Sequence, residues 1–208
     1  ATDAAGNTGQ DSHTWTIDSA APTVAITGEP ANPTKSRSAG FTFTTSEPAQ
    51  CRLDAAPFAP CSSPTGYSGL PDGTHTFVVR ATDAADNTGQ DIYEWRIDNV
   101  APTLVIVQKP TNPSTVKSPT FAFTVSEGGT ALQCKLDNGA FANCSSPKTY
   151  SNIADGPHVF TIKSTDGAGN TGQTEYGWRI ETILPIATLT DTPQNPSTST
   201  SARFEFSP

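Results

Sequence analysis

Apolar residues alternate with polar ones in short stretches, and turn residues separate the stretches. Val24 and Ile26 share one face of a first predicted strand, as do Leu104 with Ile106 and Ala187 with Leu189 further along. An F-x-F pair follows each time, Phe41 with Phe43, Phe121 with Phe123 and Phe204 with Phe206, placing both rings on one side of a strand. His75, Phe77, Val79 and Ala81 share a face, as do His158, Phe160, Ile162 and Ser164. The last strand groups Tyr93, Trp95 and Ile97, echoed by Tyr176, Trp178 and Ile180. No sustained i, i+3, i+4, i+7 pattern is present, so helices are not expected. With turns every 8 to 12 residues and short strands before the Asp72-Gly73 and Asp155-Gly156 turns, the pattern predicts about seven strands per unit in an antiparallel sandwich.

These units repeat. ATDAAGNTGQDSHTWTIDS at residues 1–19 returns as ATDAADNTGQDIYEWRIDN at 81–99 and as STDGAGNTGQTEYGWRIET at 164–182, intervals of 80 and 83 residues. That period is too long for a solenoid turn and long enough for a small domain. The chain is therefore read as the end of a preceding repeat (1–20), two whole repeats (21–100 and 101–183) and the start of a fourth (184–208). The three extra residues of the second whole repeat fall within Glu127 to Gln133, where an insertion lengthens a loop. Proline pairs at Pro30 and Pro33, Pro110 and Pro113, and Pro193 and Pro196 remove backbone donors and end the first strand of each unit.

Four cysteines allow three pairings. Cys51 and Cys61 stand ten residues apart, as do Cys134 and Cys144, each pair flanking a short turn between two strands. The repeat favours Cys51 with Cys61 and Cys134 with Cys144, one disulfide per unit. CxxC and HxxxH spacings, which would suggest zinc, are absent. Disulfides place the protein in an oxidising compartment, extracellular or at a cell surface. No signal peptide opens the sequence, which starts inside a repeat, so it is read as a window on a longer secreted or surface protein. The formal charge of -8 offers no basic stripe for nucleic acid. No apolar run approaches the roughly 18 residues of a membrane span.

The combination CxLDxxxFxxCSSPxxYSxxxDGxHxFxxxxTDxAxNTGQ, followed by WRID and AP, resembles the bacterial immunoglobulin-like repeats found in tandem in large secreted and surface proteins. The resemblance covers the whole chain. It implies all-β, Ig-like or fibronectin III-like sandwiches strung end to end as spacers, with neighbouring repeats as the first partners. It bears on fold far more than on function.

In such a sandwich, the last hairpin loop lies at the end where the first strand enters. Asp83 and Asn87 should then face the linker residue Asp18, with Glu47 in a loop of the same end. Asp98, Glu127, Asp166 and Asn170 form the corresponding set for the next joint. Hard oxygen donors converging from three segments suit calcium, which would neutralise the carboxylates and stiffen each linker. The competing reading has the Asp and Asn side chains bonding their own turns.

Trp15, Trp95 and Trp178 share strand faces with Ile17, Ile97 and Ile180, which makes them core residues rather than sugar-stacking platforms. His75 and His158 read as hydrogen-bonded residues at the core edge. No GxSxG, HExxH or phosphate-loop motif is present, and Ser62-Ser63 and Ser145-Ser146 lack a His and an acid at triad spacing, so no enzyme is expected. The expected role is a structural extender or stalk, in an adhesin or fibre. Its rivals are a self-assembling filament subunit that pairs identical chains edge to edge and a carbohydrate- or ligand-binding module.

Overall fold

The computed structural model describes residues 1–128, 131–196 and 198–207. The described residues contain strands and no helix. The chain divides into two compact units, Ala1–Val100 with Gly167–Asn170, and Ala101–Asp166 with Thr171–Pro208.

The first unit holds β1 (Val24–Gly28), β2 (Ala39–Thr45), β3 (Ala49–Leu53), β4 (Ala59–Pro60), β5 (Thr65–Tyr67), β6 (Gly73–Thr82) and β7 (Thr88–Ile97). They form a three-stranded sheet, β1-β2-β5, and a four-stranded sheet, β4-β3-β6-β7, with every neighbouring pair antiparallel. The second unit repeats this arrangement with β8 (Leu104–Gln108), β9 (Thr120–Val125), β10 (Ala131–Leu136), β11 (Ala142–Asn143), β12 (Lys148–Thr149), β13 (Gly156–Thr165) and β14 (Thr171–Ile180). Its sheets are β12-β9-β8 and β11-β10-β13-β14. Each unit is thus a fibronectin III-like sandwich of three strands on four. Gly129 and Thr130, within the expected insertion, lie outside the described residues.

The two-residue period of the sequence becomes the inward faces of the sheets. In the first unit Phe41 stacks on Phe77, their centroids 4.0 Å apart, with Trp95 edge-on to Phe41 at 5.3 Å. In the second, Phe121 stacks on Phe160 at 4.2 Å beside Trp178. Both disulfides form, Cys51–Cys61 and Cys134–Cys144, each with Cα atoms 5.7 Å apart. Cys51 and Cys134 are buried in the respective cores, so each clip ties the β3–β4 or β10–β11 hairpin to the core.

Two local features close the sandwiches. Gly89 of β7 and Gly172 of β14 let the Pro22 and Pro102 carbonyls pass directly over the strand; a Cβ there would sit 2.0 and 1.8 Å from those oxygens. The proline-rich segment after the first strand also does more than end it. The Asn32 side chain donates to Glu94 O and accepts from Arg96 N, while Thr34 exchanges backbone bonds with Arg96 O and Asp98 N. The outer edge of β7 is therefore paired over its last residues. Asn112 and Ser114 do the same for β14, Asn112 Oδ1 accepting from Arg179 N and Ser114 bonding Arg179 O and Glu181 N. The peptide bonds Asn32-Pro33, Asn112-Pro113 and Asn195-Pro196 are all cis.

Outside the two sandwiches, residues 1–9 form one small loop and Thr188–Asp191 (β15) pairs with Glu205–Ser207 (β16). Trp15 corrects the expectation of a core tryptophan: it is 72% exposed, because residues 10–19 pair with no strand among the described residues.

Candidate functional site

The TDxAxN loops carry the residues expected to bind calcium, and their internal bonding is dense. Asp83 Oδ1 accepts from the backbone N–H groups of Ala85 and Asn87, and Oδ2 accepts from Asn87 Nδ2 at 2.9 Å. The Asn87 hydrogen bond outweighs desolvation and holds the Asp83 pKa below the ordinary carboxylate range. The same carboxamide donates to the backbone oxygen of Asp18 at 3.1 Å, so Asp18, Asp83 and Asn87 do come together. The Asp18 carboxylate itself accepts from Ala20 N, and Glu47 lies exposed in the bend after β2. Among the described residues, no three carboxylates of the first unit converge closely enough to share an ion.

Residues 1–9 build the same loop by themselves. Asp3 accepts from Ala5 N, Asn7 N and Asn7 Nδ2 at 2.8 to 2.9 Å although the segment is exposed throughout. The Asp and Asn pair is therefore sufficient to close this turn locally, with no sandwich around it.

At the other joint, Asn170 Nδ2 donates to Asp98 O at 2.9 Å within the first unit. Asp98 is 7% exposed; its carboxylate accepts from Val100 N and faces Arg96 Nη2 at 3.2 Å. In the second unit Glu127 and Asp166, both half-buried, bring carboxylate oxygens within 4.8 Å of each other. Two such carboxylates offer hard oxygen donors of the kind calcium uses.

The aspartates of the DG turns perform a task that the sequence did not reveal. Asp72 accepts from Arg37 and from Asn99 Nδ2, both at 2.9 Å. Asp155 accepts from Thr182 N and Thr182 Oγ1 and pairs with Lys117 Nζ at 3.0 Å. The Thr182 backbone bond, its hydroxyl and the Lys117 ammonium pull the Asp155 pKa down to about 2. Each DG turn thus holds a residue two positions past the last strand, where the chain leaves the unit. Asp155 also borders an open recess of about 310 Å³, lined by Gly156, Arg179, Ile180, Glu181 and Ile183. A signal was present in the sequence, since the DG aspartate recurs with the WRID segment, but nothing in it joins the two across some 27 residues.

The recurring histidines lie beside these turns. His75 Nδ1 faces Asp54 Oδ2 and Nε2 faces Pro71 O, both at 2.9 Å. His158 bridges Asp137 and Ala154 O in the same way. A carboxylate and a carbonyl can only accept, so the arrangement is best met by a ring carrying both protons. Burial opposes that charge, but the Pro71 carbonyl and the Asp54 carboxylate outweigh it, and the His75 pKa is raised. For His158 burial likewise opposes, and Asp137 with the Ala154 carbonyl prevails.

The CSSP motif also proves structural: Ser63 Oγ and Ser146 Oγ accept the backbone N–H groups of Phe43 and Phe123. Trp95 and Trp178 are buried in the cores at 1% and 2% exposure, out of reach of a sugar.

The sequence matches no protein-family model, and no curated protein is similar to it. Among solved structures, the chain is similar to the fibronectin(III)-like modules of Clostridium thermocellum CbhA, at 9% identity over 76% of this chain and 94% of that one, with a TM-score of 0.42. It is also similar to dimeric latent PorU from Porphyromonas gingivalis, at 12% identity over 76% of this chain and 20% of that one, with a TM-score of 0.29. The fold assignment stands on the sheet topology of the chain itself, an all-β, fibronectin III-like arrangement.

Proposed function

We propose that the chain is a segment of a non-catalytic extender, a stalk of tandem Ig-like repeats in an extracellular surface protein such as an adhesin or fibre. The observation that carries this reading is the DG aspartate clamp. Both units use the aspartate of this turn, exposed in each case, to bind their outgoing linker, through Asp72 with Asn99 and Asp155 with Thr182. A domain whose task is to transmit position to its neighbour needs such a fixed exit; a free-standing domain does not. The disulfide in each unit suits the same role, since cross-linking a loop of this length stabilises by about 2–3 kcal/mol in an oxidising setting.

Capping of the last residues of the β7 and β14 edges by Asn32 and Asn112 disfavours the filament alternative at those ends, because the backbone groups there are already paired. The burial of Trp95 and Trp178 takes both tryptophans of the sandwiches away from any stacking surface, leaving only Trp15 of the three candidates exposed.

Calcium at the joints belongs to this proposal. Asp98, Glu127, Asp166 and Asn170 would supply ligands at one joint, and Asp18, Glu47, Asp83 and Asn87 at the other. The proximity of Glu127 and Asp166 favours the former. Small-angle scattering of the 208-residue chain with calcium and then with chelator tests the whole reading. A monomer whose profile changes on chelation supports an ion-locked extender; concentration-dependent assembly would replace it with the filament. Calcium affinity left unchanged by Asp98→Ala with Asp166→Ala would remove the ion.

A further inference from the structure

The outer face of the four-stranded sheet carries the same polar row in both units. In the first, Gln50, Arg80 and Gln90 are cross-strand neighbours on β3, β6 and β7. In the second, Gln133, Lys163 and Gln173 occupy the matching places on β10, β13 and β14. A second cation stands one row away on the first of these strands, Arg52 or Lys135, and the hairpin phenylalanine lies against both cations. Arg80 sits 3.7 Å and Arg52 4.8 Å from the Phe58 ring centroid. Lys163 sits 4.3 Å and Lys135 5.2 Å from that of Phe141.

These four cations have no carboxylate partner among the described residues, a state they share with Lys35, Lys109 and Lys148, whereas Arg37, Arg96, Lys117, Arg179 and Arg203 are paired. Two like charges held around one ring repel each other, and the cation–π contacts offset part of that cost. In a chain of net charge -8 with 20 acidic side chains, pairing each of them would have been easy. The amides differ in how they are engaged: Gln133 Nε2 donates to Asn143 Oδ1 at 3.4 Å in the second unit. Arg80 Nε and Nη2 both donate to Gln50 Oε1, at 3.1 and 2.9 Å, which leaves the Gln50 NH₂ group its donors. Gln90 and Gln173 are exposed.

We propose that this face binds a linear acidic polysaccharide, with the cations taking its carboxylate or sulfate groups and the glutamine amides its hydroxyls. The proposal is independent of the extender reading. The neighbouring row decides between a glycan and an acidic protein. It contains Val78 and exposed Ile92 in the first unit but Thr161 and Glu175 in the second. What recurs is therefore charge and amide, without the apolar centre that a protein interface is built around. Net negative charge elsewhere on the chain does not cancel the attraction, because fields from exposed charges fade over about 8 Å at physiological salt. Two copies of the face on one chain would add avidity along a polymer.

The test is binding of the 208-residue chain to polygalacturonate, heparin, neutral dextran and poly-glutamate, at salt from about 50 to about 300 mM. Binding to polygalacturonate or heparin that weakens with salt, with none to dextran, is the expected result; the tighter of the two identifies carboxylate or sulfate as the group recognised. Arg80→Gln with Lys163→Gln should lower that affinity on the order of tenfold. Gln90→Ala with Gln173→Ala, at exposed positions that leave the fold intact, should lower it severalfold. No binding to either polysaccharide overturns the proposal. So does poly-glutamate binding as tightly, which would make the partner an acidic polypeptide, or glutamine variants that bind like the parent.

Discussion

Asp86 occupies the left-handed region, with φ of 66°, at the place where the other two copies of the loop have Gly6 and Gly169, at 84° and 87°. A side chain there is strained by about 1–2 kcal/mol, part of which glycine's larger unfolded-state freedom takes back. Asp86→Gly should therefore stabilise the first unit by about 0.5–1 kcal/mol in denaturant unfolding. Burial opposes the charged ring, but the Pro71 carbonyl and Asp54 outweigh it and raise the His75 pKa, and Asp137 with the Ala154 carbonyl raises that of His158 against the same opposition. A raised folded pKa means that the folded state binds the proton more tightly than the unfolded one. The stabilisation is fully present below the unfolded histidine value and is lost as pH rises through the folded one. Asp155 has the opposite sign: its contribution is present above the unfolded carboxylate value and disappears as pH falls toward about 2. Melting temperature should accordingly fall between mildly acidic and mildly alkaline pH. His75→Gln with His158→Gln should flatten that limb; an unaltered slope would show that the rings are not protonated in the fold.

At the scale of elements, Asn32 and Asn112 act as short stretches of backbone, each supplying the edge of a last strand with bonds that a neighbouring strand would otherwise provide. Asn32→Ala should cost about 1 kcal/mol and open the β7 edge, so sedimentation at rising concentration should reveal association that the parent chain lacks. Gly89→Ala and Gly172→Ala would each drive a methyl group into a proline carbonyl, at a cost of about 2–3 kcal/mol. The strands themselves were legible in the sequence because burial on one face imposes a period of two, and Phe41, Phe77 and Trp95 all sit where that period places them. The uses of Asn32, Ser63, Asp72 and Gly89 were not. Each acts on a group 20 to 67 residues away, and alternation along one strand carries no record of which other segment crosses it. Trp15 marks the converse limit, since its apolar pattern matches that of Trp95 while no sheet lies opposite it.

For the whole molecule, the two units have separate cores, Ala39 to Ile97 in one and Leu104 to Ile180 in the other, each with its own disulfide. Loop closure over ten residues restricts the unfolded ensemble of only the unit that contains the bond. Cys134→Ala with Cys144→Ala should then lower the stability of the second unit by about 2–3 kcal/mol and leave the first unchanged. Trp95 and Trp178 sit one in each core and report the two events separately, through fluorescence of chains in which Trp15 and the other core tryptophan are replaced by phenylalanine. Distinct transitions, with only the Trp178 signal moved by loss of the second disulfide, are the outcome that independent cores require. A single shared transition, displaced equally for both tryptophans, would mean that the units fold as one cooperative body. Stretching such a chain would then unfold it all at once, and an extender made of separately recovering beads would no longer describe it.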